Sequence, residues 1–86
     1  MPRISAFYGI VVTMYSSDHA PPHFHARYGE YEAQIVIDDG TPLAGRLPIR
    51  AVRLIREWVE LHRGELGDDW ERAQAREPLA SIDPLP

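Results

Sequence analysis

Cysteine is absent from this chain of 86 residues, and so is lysine. The first absence excludes disulfides, Cys-based zinc sites and a cysteine nucleophile. Small secreted domains usually depend on such staples, so a cytoplasmic location is expected. The second absence makes arginine the only fully charged cation available. No long apolar run occurs either. Ile10-Val11-Val12 is the longest strongly apolar stretch, far short of the roughly 20 residues of a membrane-spanning helix. No apolar leader follows Met1-Pro2-Arg3, and no membrane association is expected. There is no Gly-rich phosphate loop, Walker pattern or Ser-His-Asp spacing.

What is present describes one folded domain. Hydrophobic residues make up 44 % and charged residues 26 % of the chain, which excludes wholesale disorder. A chain this short buries roughly 60–70 % of its unfolded surface, enough for a thin core. The net charge of −4 disfavours a broad phosphate-binding surface and therefore nucleic acid as the main partner.

The pattern predicts an α+β fold: a small antiparallel sheet of three or four strands, covered on one face by a long amphipathic helix. A short second helix and an extended tail complete it. Residues 1–78 are expected to form a single domain and residues 79–86 a proline-containing tail. Ala6 to Tyr15 reads as one central strand, apolar on both sides. Ser16 to Pro22 carries loop chemistry. His23–Tyr28 and Tyr31–Asp38 read as a hairpin with a type II′ turn at Gly29-Glu30. That turn pairs Tyr28 with Tyr31, Arg27 with Glu32, Ala26 with Ala33, His25 with Gln34 and Phe24 with Ile35. The register sorts Phe24, Ala26, Ala33 and Ile35 to one face and His23, His25, Arg27, Glu32 and Gln34 to the other.

Asp38 to Pro42 is a turn, and Leu43–Leu47 supplies a short fourth strand. Pro48 then opens a helix that runs to about Arg63 and is stopped by Gly64. Ala51, Leu54, Ile55, Trp58, Val59, Leu61 and His62 share its apolar arc. The second helix spans about Asp68 to Arg76. In the tail, Leu79, Ile82 and Leu85 are the side chains suited to lie against the body.

The chemistry concentrates in Asp18-His19-Ala20-Pro21-Pro22-His23-Phe24-His25, which holds three of the four histidines. His23 and His25 are two apart on a strand and project to one side. Neutral imidazole is a common transition-metal ligand, and zinc takes four ligands, or three plus water. Asp18, His19 or Glu32 can complete such a set. The implied cofactor is a divalent metal, zinc or manganese. The competing interpretation is that these imidazoles are polar residues of a solvated face, and that Phe24 matters as a core anchor. His62, on the apolar arc, reads as a structural histidine with a hydrogen-bond partner.

Arg46, Arg50, Arg53 and Arg56 form a stripe able to contact phosphates or a partner. Glu57 and Glu60 interrupt it with i,i+4 pairs, as on an ordinary solvated helix face.

Several segments together resemble a known family. They are Phe7-Tyr8-Gly9-Ile10, Asp18-His19, Pro21-Pro22-His23-Phe24-His25-Ala26, Tyr28-Gly29 ahead of Glu32-Ala33, Gly45-Arg46-Leu47-Pro48, and Arg56-Glu57-Trp58. The chain resembles the bacterial domain-of-unknown-function family four-one-six-zero. The resemblance implies a small prokaryotic protein, often encoded beside another small protein in an arrangement like a toxin–antitoxin pair. It supplies no catalytic residues. Two functions are therefore expected: a binding or regulatory module with a small protein partner from the adjacent gene, or a metal-dependent hydrolase or nuclease-like activity on His23 and His25.

Overall fold

The computed structural model describes residues 3–86; Met1 and Pro2, the start of the expected domain, lie outside the described residues. Five strands precede one helix: β1 Arg3–Phe7, β2 Ile10–Thr13, β3 His23–Tyr28, β4 Tyr31–Val36, β5 Pro42–Arg46 and α1 Ile49–Gln74. The strands form an antiparallel meander in the order β1-β2-β3-β4-β5.

The expected single strand from Ala6 to Tyr15 is in fact two strands. Tyr8 (φ 49°) and Gly9 (φ 81°) both adopt the left-handed conformation, the backbone of a type I′ hairpin turn. Glycine adopts it readily, whereas tyrosine at the first turn position carries no turn signal, so the sequence reads straight through. The sheet therefore has five strands and not three or four.

The β3–β4 hairpin follows the alternation of its side chains. Tyr28 pairs with Tyr31 and His23 with Val36, with every intermediate pair in the expected register, and Gly29 takes φ 60° at the turn. β4 ends at Val36 and not at Asp38. Beyond it, the Asp39 carboxylate accepts hydrogen bonds from the Thr41 hydroxyl at 2.7 Å and the Thr41 amide at 3.0 Å. Those two bonds hold the Asp39 carboxyl below its usual pKa. The stability they give is present at neutral pH and lost on acidification through that lowered value. β5 then returns with a bulge against β4. Gly45 (φ 76°) lies so close to its neighbour that an added methyl would run into the Glu32 carbonyl oxygen.

α1 corrects the expectation of two helices. It continues through Gly64 and Gly67 to Gln74, and its interior departs from helical geometry at His62 (φ −129°, ψ 21°). Each internal glycine costs about 1 kcal/mol relative to alanine. The buried stripe outweighs this: Ala51, Ile55, Trp58 and Val59 continue at helical spacing into Leu66, Asp69, Trp70 and Ala73. Leu61, expected on the apolar arc, is exposed.

The core lies between α1 and one face of the sheet. Phe7 and Phe24 meet the Trp58 ring at 5.1 and 5.6 Å. Ile10, Val12, Met14, Ile35 and Ile55 are fully buried around them. The tail lies across the outer side of β1. The Ile82 amide donates to the Ile4 carbonyl at 2.8 Å, Trp58 Nε1 donates to the Asp83 carbonyl at 2.8 Å, and Ile82 is buried. Asp69, fully buried on α1, accepts from the Ala80 amide at 2.9 Å and from Arg72 at 2.8 Å.

Two stability outcomes follow. Asp69→Ala removes the buried acceptor shared by the Ala80 amide and Arg72 and is expected to cost about 2 kcal/mol, while Asp69→Asn, which keeps an acceptor, costs less. Gly45→Ala should also cost about 2 kcal/mol, from its left-handed backbone and the Glu32 carbonyl. Urea unfolding midpoints equal to that of the unaltered chain would contradict both assignments.

Candidate metal centre

Three parts of the chain meet where β3 begins. The loop after β2 brings in Asp18, β3 supplies His23 and His25, and the C-terminal half of α1 closes one side. Beyond the bend at His62, α1 places Trp70 against the His23 ring, with centroids 5.4 Å apart. Farther along, Gln74 Nε2 donates to the Asp18 carbonyl at 3.3 Å and Arg76 donates to Ser17 Oγ at 3.2 Å. The loop is thus tied to the helix end at two successive residues. On the other side, the Tyr15 ring meets His25 edge-on at 4.6 Å.

The two imidazoles converge on a single oxygen. His25 Nε2 lies 3.0 Å from Asp18 Oδ2, and His23 Nε2 lies 3.3 Å from the same atom. His23 Nδ1 is 2.8 Å from the Pro21 carbonyl. A carbonyl can only accept, so Nδ1 carries the proton and donates. In the neutral ring, Nε2 therefore presents its lone pair to the carboxylate. Two acceptors facing each other at this distance repel unless a proton or a cation lies between them.

The cluster is one that could hold a metal ion. The donor atoms of Asp18, His23 and His25 all lie within 4.8 Å of one another. Bonds of 2.0–2.1 Å to tetrahedral zinc place neighbouring ligands roughly 3.3 Å apart. The His23–Asp18 contact equals that edge length and the His25–Asp18 contact is 0.3 Å shorter. The bond from His23 to the Pro21 carbonyl is the kind of outer contact that fixes a ligating histidine's tautomer and ring orientation. Two neutral imidazoles and one carboxylate suit zinc among the divalent metals, and leave one tetrahedral position for water.

The ligands grade from interior to surface. The side chains of His23, His25 and Asp18 are 5 %, 15 % and 27 % exposed. His23 corrects the expectation that both rings stand on the solvated face. Trp70 covers it, because α1 runs on past Gly64 and reaches the end of the sheet. His25 does lie on the open face, beside two shallow grooves. One is lined by Val11, Thr13, Tyr15, Arg27 and Glu32, the other by Glu32, Gln34, Ala44 and Gly45.

The remaining sequence candidates lie outside this cluster. His19 is exposed in the loop. Glu32 faces Arg27, with an N–O distance of 3.6 Å. His62 donates from Nδ1 to Glu65 at 2.6 Å and rests against Trp58, ring centroids 5.8 Å apart. Arg46 stands opposite Glu32 at the sheet's outer strand. Arg50, Arg53 and Arg56 occupy the exposed side of α1, where Arg56 lies against the turn at Gly40. The four arginines are thus split between β5 and α1. Trp70 and Gln74 lie on the expected second helix, but nothing in local pattern points either of them, or the Pro21 carbonyl, at the histidines. Only the prolonged helix brings the first two to the site.

Among the described residues, no helix is long and apolar enough to cross a membrane. No curated protein and no solved structure matches the chain. A family model does match, over residues 9–71, a span that contains Asp18, His23 and His25. The chain belongs to the family described as Domain of unknown function (DUF4160).

Proposed function

We propose that this domain binds a divalent transition-metal ion, zinc before manganese, through Asp18, His23 and His25. The observation that carries this reading is the convergence of two imidazole Nε2 atoms on one carboxylate oxygen, with the His23 tautomer set by the Pro21 carbonyl. The bound ion would take the place of the proton that this contact otherwise requires.

Zinc held by three protein ligands lowers the pKa of its bound water to about 7 and so supplies hydroxide at neutral pH. That chemistry fits a hydrolytic or nuclease-like role. The chain's own part is to anchor the ion through buried His23, to hold Asp18 by way of Gln74, and to leave the His25 side open. A second reading is a binding or regulatory module, one member of a toxin–antitoxin-like pair in the prokaryotic cytoplasm, engaging a small protein from the adjacent gene. The observation favouring it is that Leu43 on β5, Tyr31 on β4 and Ile49 at the start of α1 turn large apolar side chains to solvent.

Titrating untagged, metal-free protein with zinc tests the first reading. Zinc at a hundred times its dissociation constant should stabilise the fold by about 2.7 kcal/mol, a rise of roughly 10–20 °C in melting temperature for a domain this size. Tryptophan emission should change as well, because Trp70 touches a ligand. His25→Ala and Asp18→Asn, at the more exposed ligands, should abolish both effects. A melting temperature indifferent to zinc and manganese, with no metal retained after gel filtration, would leave the site without a metal role. Co-expression with the adjacent gene product tests the second reading: a stable complex lost on Leu43→Glu is the expected result, and separate elution of the two chains counts against it.

A further inference from the structure

His25 stands beside a particular charge pattern on the open face. Strand alternation puts Thr13, His25, Gln34 and Ala44 in one row across the open face, and Val11, Arg27, Glu32 and Arg46 in the next. Rows on one face are roughly 7 Å apart, within the reach of an arginine side chain. Arg27, two residues after His25, therefore stands where its guanidinium can meet a group bound beside that ligand.

Charge selects the class of that group. Zinc with one carboxylate and two neutral imidazoles carries a formal charge of +1. Arg27, Glu32 and Arg46 add a further +1. This face is then cationic on a chain whose formal net charge is −4. Glu32 lies between two arginines in the register. Its present contact with Arg27 is long, at 3.6 Å, and both side chains are more than half exposed. Arg46 can hold Glu32 while Arg27 turns to an incoming anion, so little is lost in the exchange.

From this arrangement, and resting on the metal reading above, we infer that the site takes a phosphate group, with one non-bridging oxygen on the metal and another on Arg27. The planar guanidinium fork matches phosphate oxygens in a way that a single point charge does not. Glu32 acts as the competing anion and Arg46 as its alternative partner. The shared chemistry is a phosphate ester, either free or within a nucleic-acid backbone.

The test uses the full chain, first with zinc alone and then, zinc-loaded, with inorganic phosphate, thymidine monophosphate and a short single-stranded oligothymidylate, all by calorimetry. Arg27→Gln should leave zinc affinity unchanged and weaken phosphate about tenfold, the equivalent of one charge-assisted contact. Glu32→Gln should strengthen phosphate binding a few-fold, a gain that a merely structural role for Glu32 would not give. Oligothymidylate binding tighter than the monophosphate, and falling steeply with salt, would identify a nucleic-acid backbone as the source. Equal affinities would identify a small phosphate ester. If zinc binds but phosphate is not bound, or is indifferent to both substitutions, this inference is overturned and the metal site stands. If zinc itself does not bind, the fault lies with the metal reading.

Discussion

Asp18 Oδ2 lies 3.0 Å from one imidazole nitrogen and 3.3 Å from another, and this contact exists only where the loop, the sheet and the helix end are all in place. Asp18 precedes the histidines by five and seven residues, so the loop has to double back over the start of β3. His23 and His25 share a side only while β3 keeps its pleat. The His23 ring is held on its other flank by Trp70, which arrives from α1. Each of these elements has its own reason to be in place: the hairpin register, the buried stripe of the helix, and the bonds from Gln74 and Arg76 to the loop. Their convergence makes a carboxylate and two nitrogen donors meet without a covalent cross-link, in a chain that has no cysteine to provide one.

Legibility from sequence varied with how local the determining physics is. The β3–β4 hairpin was readable because alternation, an Arg27–Glu32 pair and a glycine at the turn all demand the same register. The turn at Tyr8-Gly9 was not, because an apolar run on both sides of one glycine is also what a buried central strand looks like. The helix was misread at Gly64 for a related reason. A glycine after an amphipathic segment signals a stop, but Leu66, Trp70 and Ala73 resume the buried stripe and carry the backbone through. That misreading propagated to the site. With the helix ended at Gly64 and a separate short helix begun at Asp68, nothing directs Trp70 onto the end of the sheet, and His23 falls on the solvated face.

The metal cluster was accordingly half visible. His23 and His25 are paired by strand geometry alone, and Asp18 was a nearby carboxylate among several. Nothing in spacing separated Asp18 from His19 or Glu32. What separates them is tertiary: His19 points to solvent, Glu32 lies in the next row facing Arg27, and Asp18 alone is tethered through its backbone to α1. The arginines are spread over two elements, as the strand-to-helix change at Pro48 implies: Arg46 on β5 and Arg50, Arg53 and Arg56 on the exposed side of α1.

The gradient of burial across the three ligands also bears on what such a site can do. A fully enclosed metal acts as a staple, whereas a fully exposed one is weakly held, since mobile ligands lose side-chain entropy on binding. Here the buried ligand, His23, is locked by the Pro21 carbonyl and by Trp70, so its orientation is set before any ion arrives. His25 is braced by Tyr15 yet borders open grooves, and Asp18 is the most accessible of the three. An ion bound as proposed would be held from the core side by His23 and reached from the sheet side beside His25. If an ion binds as proposed, the same small domain would gain stability from it through His23 and still leave it reachable beside His25.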